Sequence, residues 1–321
     1  MNIVEEAAKR LEQLGKAGIQ VPDEREPGDS GNGGSAGSPD PIPQQTARVA
    51  EAHQRRRPAA GGSVNERIEP GATGSAGTGP NFRQLDYQRL QANGFITPTV
   101  PDSQLLHEFR VIKRPLIQNA LGKSAALIAN GNLIMITSAL PGEGKTFVSL
   151  NLAMSIAMEV DSTVLLVDAD VVSPSMPRLL GIQPAKGLMD VLTAPDLELG
   201  DVLLRTNVER LSLLLAGTPH RRASELLASE AMAALLNEIS SRYPDRIVVF
   251  DSPPLLATTE SRILASHMGQ VVVVVEAERT THGALETALA TVETCPVVLT
   301  MLNKSSMSDV GSYYGYYGYG R

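Results

Sequence analysis

The chain has one cysteine, no tryptophan, five phenylalanines and no long apolar run. A lone Cys295 excludes a disulfide framework and a four-cysteine metal site, and no partner motif marks it as a nucleophile. The longest apolar stretches, such as Val271 to Val275, fall far short of the ~18 residues that a spanning helix requires. The first residues, Met1-Asn2-Ile3-Val4-Glu5-Glu6, show neither a basic n-region nor an apolar core, so no secretory leader is expected. Positive charge is also in deficit. With a formal net charge of −7 over 321 residues, no basic face for duplex nucleic acid is foreseen. A soluble cytoplasmic protein is the expectation.

Aromatics are scarce at 4%, and their placement is odd. Five of seven tyrosines (Tyr313, Tyr314, Tyr316, Tyr317 and Tyr319) lie in the last nine residues, interleaved with Gly315, Gly318 and Gly320. A folded core uses rings for burial. A glycine-spaced tail cannot.

Composition divides the chain. Residues 1–15 carry Ile3, Val4, Ala7, Ala8, Leu11 and Leu14 at helical spacing, which predicts a short amphipathic helix ended by Gly15. It either lies on its own domain or docks elsewhere. Residues 16–80 are dominated by Gly, Pro, Ser and Ala and predict a disordered linker. Its Arg55-Arg56-Arg57 reads as a solvated charge run, or as a contact for an acidic membrane surface. Residues 81–305 predict one α/β domain, and 306–321 a flexible tail. Within the domain, runs at 133–137, 163–167, 246–250, 270–275 and 296–302 are apolar throughout, as in parallel strands covered on both faces.

Three motifs carry chemistry. The first strand runs into Ser138-Ala139-Leu140-Pro141-Gly142-Glu143-Gly144-Lys145-Thr146, followed by helical Phe147 to Met158. Strand, Gly-rich turn, Lys-Thr and helix make a P-loop. Its amides and helix N-terminus attract phosphate, Lys145 reaches the β- and γ-phosphates, and the Thr146 hydroxyl holds Mg²⁺. Ala139 stands where the strict pattern has its first glycine. Next, Val164-Leu165-Leu166-Val167-Asp168-Ala169-Asp170 is a strand ending in two carboxylates, which alternation points the same way. Last, Ile247-Val248-Val249-Phe250-Asp251 precedes Ser252-Pro253-Pro254. Ligands of open α/β sheets bind at the carboxyl edge, so the three together predict magnesium–nucleotide binding.

These motifs resemble the Walker A, A′ and B motifs of bacterial tyrosine kinases. Gly187-Leu188-Met189-Asp190-Val191-Leu192, Ser224-Glu225-Leu226-Leu227-Ala228-Ser229 and the terminal tyrosines are similar to further landmarks of that family. Asn2 to Ala8 and Glu108 to Pro115 resemble its exosortase-associated (PEP-CTERM) exopolysaccharide branch. Chromosome-partitioning and septum-site ATPases share the deviant P-loop, but their signature lysine falls at Leu140 here and they lack the tyrosine cluster.

The resemblance implies a doubly wound P-loop fold, ATP and Mg²⁺ as cofactors, and autophosphorylation of Tyr313, Tyr314, Tyr316, Tyr317 and Tyr319, in a neighbour's active site. It implies Asp168 as base, Lys145 and Asp170 beside it, and Thr146, Asp251 and Asp170 around the metal. Nucleotide contacts would come from Pro141, Gly142, Glu143, Gly144, Lys145, Thr146, Phe147 and Asn303. Implied partners are a membrane chain-length determinant (polysaccharide copolymerase) that recruits the kinase to the inner membrane face, further copies of the chain, and a phosphotyrosine phosphatase. Two departures stand out. Val171-Val172-Ser173 replaces an expected arginine, and the oligomerisation pattern Glu-x-x-Arg-x-x-Arg reads His107, Arg110, Lys113. Lysine cannot make the bidentate contact of arginine, so ring assembly by those contacts is not expected.

Overall fold

The computed structural model describes residues 79–99, 102–242 and 246–305. The N-terminal helix, nearly all of the linker and the tyrosine tail lie outside these residues.

The five apolar runs form β2 (Leu133–Ser138), β3 (Thr163–Asp168), β6 (Arg246–Asp251), β7 (Gln270–Glu276) and β8 (Val297–Asn303). Three short strands complete the sheet: β1 (Phe82–Arg83), β4 (Leu204–Thr206) and β5 (Leu211–Leu214). Among the described residues the order is β1-β4-β5-β3-β6-β2-β7-β8, with only the β4–β5 pair antiparallel.

The central strands read as continuously apolar because both faces are covered, whereas the edge strand β8 is only partly buried, with Leu302 60% exposed. Leu133, Met135, Leu165, Val167, Val248 and Phe250 join one buried cluster. Their neighbours Ile134, Ile136, Val164, Leu166, Ile247 and Val249 join the other. On the second face lie α1 (Tyr87–Ala92), α2 (Gln104–Ala120), α3 (Lys145–Ala157) and α4 (Met176–Leu180). The first face is covered by α5 (Leu188–Thr193), α6 (Leu199–Val202), α7 (Ala223–Leu227), α8 (Glu230–Arg242), α9 (Glu260–Ala265) and α10 (His282–Ala290).

Helix α3 is buried at every position from Val148 to Ala157. Its polar residues therefore need partners: Asn151 accepts from the Ile96 amide at 2.7 Å and donates to the Phe147 carbonyl at 3.0 Å. Helix α2 packs Leu106, Phe109 and Leu116 inward, and Lys113 is buried with them. The Lys113 ammonium donates to the Ser155 carbonyl at 2.6 Å, near the end of α3, and pairs with Glu159 at 2.6 Å. His107 and Arg110, from the same altered pattern, pair with Asp102 at 3.1 and 3.2 Å.

Candidate active site

Strand β2 delivers the P-loop to the carboxyl edge between β6 and β7. Gly142 and Gly144 adopt φ of 87° and 100°, a left-handed geometry that only glycine takes at little cost. A Cβ on Gly144 would also lie 2.1 Å from Nδ2 of Asn303. Ala139 needs no glycine: it is fully buried and absent from the positive-φ positions.

The loop is tied from behind. Buried Glu143 accepts from the Leu140 amide at 2.7 Å and from the Thr280 hydroxyl. Asn303 donates to the Glu143 carbonyl at 2.9 Å, and the Lys304 ammonium donates to the Gly142 carbonyl at 2.7 Å. The amides of Gly142, Glu143 and Gly144 donate to nothing among the described residues. Free amides at the start of α3 form a concave anion cradle, which fits the phosphates of a nucleotide.

Opposite the cradle stand three carboxylates. Asp168 and Asp251 are register partners at the ends of β3 and β6. Both oxygens of Asp168 are buried without a hydrogen-bond partner. Burial, then the charges of Asp251 and Asp170, push its carboxyl up to about 7; the amides of Asp170 and Met176 moderate the rise without closing a hydrogen bond. Burial also raises Asp251, to about 6, against the opposing pull of Lys145 and of the Thr146 and Ser149 hydroxyls. The Ser149 hydroxyl donates to Asp251 at 3.1 Å. Asp170, just beyond the strand, pairs with Lys145 at 2.8 Å and accepts from the Ser173 amide at 3.2 Å. Strand alternation therefore brings Asp168 and Asp170 to one edge, but with different partners.

No group of three or more His, Cys, Asp or Glu among the described residues is arranged to hold a metal alone. Mg²⁺ binds through one or two carboxylates plus substrate phosphates. The Thr146 hydroxyl and Asp251 carboxylate, side by side below the cradle, suit that role.

Phe147 packs against Phe95, ring centroids 5.4 Å apart. It also lines a groove of about 280 Å³ with Phe109, Met301 and Asn303. Asn303 thus borders the groove while its amide supports the loop. Ser149, Thr280 and Lys304 belong to the site although no sequence motif marked them.

The Gly187-to-Leu192 stretch has a supporting role. Asp190 accepts from the amides of Gly187 (2.8 Å) and Thr218 (3.0 Å). Burial would raise its carboxyl, yet these hydrogen bonds outweigh burial and hold it below the usual range. A side chain on Gly187 would meet the Leu215 carbonyl oxygen at 1.9 Å.

A mostly parallel α/β sheet with this cradle, its lysine and three edge aspartates defines a P-loop NTPase domain. Residues 131–304 match the family AAA_31, described as an AAA domain. The chain is 34% identical over 226 residues to EpsB of Ralstonia nicotianae, a match covering 68% of this chain and 29% of EpsB. It is 31% identical over 232 residues to tyrosine-protein kinase YwqD of Bacillus subtilis, covering 72% of this chain and 93% of YwqD. The crystal structure of the chimerical protein CapA2B2 superposes with TM-score 0.54 at 25% identity, covering 68% of this chain and 92% of that one. The chain belongs to the bacterial tyrosine-protein kinase family.

Proposed function

We propose that this chain is an ATP-dependent protein-tyrosine autokinase that phosphorylates its own C-terminal cluster, Tyr313, Tyr314, Tyr316, Tyr317 and Tyr319. The observation that carries this reading is the unpartnered carboxylate of Asp168 beside Asp251 and across from the P-loop. A tyrosine hydroxyl has a pKa near ~10 and must lose its proton as the phosphoryl group arrives. A buried carboxylate pushed up to about 7 is a suitable acceptor for that proton at neutral pH. Magnesium-bound ATP, when present, supplies the phosphoryl group. Lys145 and the amides of the Gly142–Thr146 loop would hold the phosphates, Thr146 and Asp251 would hold the metal, and Asp170, paired with Lys145, would support both.

The groove beside Phe147 and Asn303 is assigned to the nucleoside. Transfer runs between copies of the chain, although length permits the other route. Ten residues from Asn303 to Tyr313 span up to ~35 Å, whereas the four strand spacings from β8 to β3 amount to ~19 Å. Full phosphorylation adds roughly −8 to −10 charges to one tail, which loosens the assembly. Equal particle mass with and without ATP would contradict that.

The resemblance at residues 2–8 and 108–115 supports a reading of the chain as a member of the exosortase-associated branch, acting in exopolysaccharide production. A membrane copolymerase would recruit it and a phosphotyrosine phosphatase would reset it. Among the described residues no helix is long and apolar enough to cross a membrane.

The deciding experiment is intact mass after incubation with Mg-ATP. Stepwise gain of phosphate mapping to 313–319, absent in Lys145→Met and Asp168→Asn, is the expected result. Unmodified tails on protein that still binds ATP would favour a nucleotide-switched scaffold instead. Mixing a Lys145→Met chain with an active chain whose five tail tyrosines are phenylalanine tests transfer between copies: label on the inactive chain requires it.

A further inference from the structure

The loop Gly217–Arg222 presents three basic side chains, His220, Arg221 and Arg222, all exposed. Its path places them at the catalytic edge. Strand β5 lies beside β3 in parallel register, with Leu214 opposite Val167, so the loop leaves one strand away from Asp168. It ends at α7, where the Ser224 hydroxyl donates to Glu260 of α9, the helix that follows β6. Because β3 lies between β5 and β6, this segment passes the carboxyl end of β3, where Asp168 sits.

The segment is held at both ends. Asp190 accepts from the Thr218 amide, Gly217 takes φ of 86°, and Ala223 is buried. The Arg222 amide donates to Nδ1 of His220 at 3.1 Å, which leaves Nε2 directed away. Neither Arg221 nor Arg222 has an ion-pair partner among the described residues. Lys186, exposed and close enough to act on the Asp190 carboxylate, adds a lysine at the base of the loop. In a chain of net charge −7, two adjacent guanidinium groups without an ion-pair partner among the described residues, beside the proposed phosphoryl-transfer site, mark a place for an anion.

We propose that this loop is a phosphate-reading lip. It binds phosphotyrosine already formed on the tail of a second copy and so favours phosphorylation of an adjacent tyrosine. The proposal rests on the kinase reading for its substrate. Two neighbouring guanidinium forks suit a phosphate dianion, which they contact bidentately. Each acceptor in Tyr313-Tyr314-Gly315-Tyr316-Tyr317-Gly318-Tyr319 has another tyrosine one to three residues away. One phosphate on the lip therefore keeps the next hydroxyl near Asp168, and modification proceeds along the tail rather than at random.

The test uses the full chain with its five tail tyrosines changed to phenylalanine, loaded with Mg-ADP. Labelled peptides spanning 309–321, unmodified or carrying one phosphotyrosine at 316, are titrated by anisotropy. The expected result is about tenfold tighter binding of the phosphopeptide, a preference that shrinks with added salt. In Arg221→Ala/Arg222→Ala it falls to within about twofold, with an unchanged melting temperature because both side chains are exposed. Equal affinities in the parent, or a preference that survives the double substitution, would overturn the lip. With Mg-ATP, the ratio of primed to unprimed initial rates should follow the same pattern. If neither peptide is phosphorylated the kinase reading fails, while the anisotropy result still decides the lip.

Discussion

The ammonium of Lys145 lies 2.8 Å from Oδ2 of Asp170, both side chains largely shielded from solvent. The residue proposed to meet a nucleotide's phosphates is thus paired within the protein, and on that reading phosphate has to compete with a carboxylate for it. Replacing Asp170 by Asn removes both the competitor and a repulsive charge. Affinity for ADP in EDTA should rise about threefold to tenfold, and its enhancement by Mg²⁺ should shrink. Unchanged metal-free affinity in a fluorescence titration would show that the pair does not oppose binding.

Asp168 makes stability depend on pH. Its folded-state value of about 7 lies above the unfolded 3.8, so between these values the folded protein keeps a proton that the unfolded chain has released. Nucleotide-free stability therefore falls as pH rises from about 4 to 7 and levels off above; Asp251, raised to about 6, contributes with the same sign. Asp168→Asn should melt higher than the parent at pH 8, by roughly 1–3 kcal/mol, with the gap closing towards pH 4. A gap independent of pH, or a lower melting temperature at pH 8, would refute this account.

Asn303 supports the P-loop through one hydrogen bond to the Glu143 carbonyl. Asn303→Ala should cost about 1 kcal/mol of stability and weaken ADP binding by less than about tenfold. Gly144→Ala should be far more damaging, because φ of 100° strains any side chain and its Cβ collides with Asn303. Combining the two relieves only the collision, so ADP titrations should show no recovery. Restored binding in the double variant would mean that the backbone at 144 can relax.

Lys113 occupies the position where a family arginine would serve assembly, yet it is turned into its own domain. Lys113→Met leaves the Ser155 carbonyl without its donor and removes the Glu159 pair, for a loss of about 1–3 kcal/mol. Particle mass by light scattering should not change. A shift in mass with intact stability would return Lys113 to the interface.

The parts of the fold legible in sequence were those with one sufficient local cause. Five apolar runs became five parallel strands; burial on both faces explains the composition of β2, β3, β6 and β7, whereas β8 lies at the sheet edge and is only partly buried, against the expectation of cover on both faces. Strands β1 and β4 were not legible: two and three residues are too short for any period, and each is fixed by pairing with distant chain. In the site, Lys145, Thr146, Asp168, Asp170 and Asp251 were legible because each ends or starts an apolar element. Thr280 and Lys304 act on loop residues 137 and 162 positions away, a pairing that no spacing announces. Ala139 shows the reverse: a departure from the strict motif proved to be an ordinary buried position.

The last strand closes on the phosphate cradle, where Asn303 and Lys304 grip the P-loop carbonyls. The tyrosine segment therefore departs from the very residues that brace the nucleotide loop. A truncation meant to remove only the proposed acceptors has to end after Ser305. Cutting two residues earlier would take away Lys304, a brace, along with the proposed substrate, and the resulting weak nucleotide binding would be misread as a property of the tail.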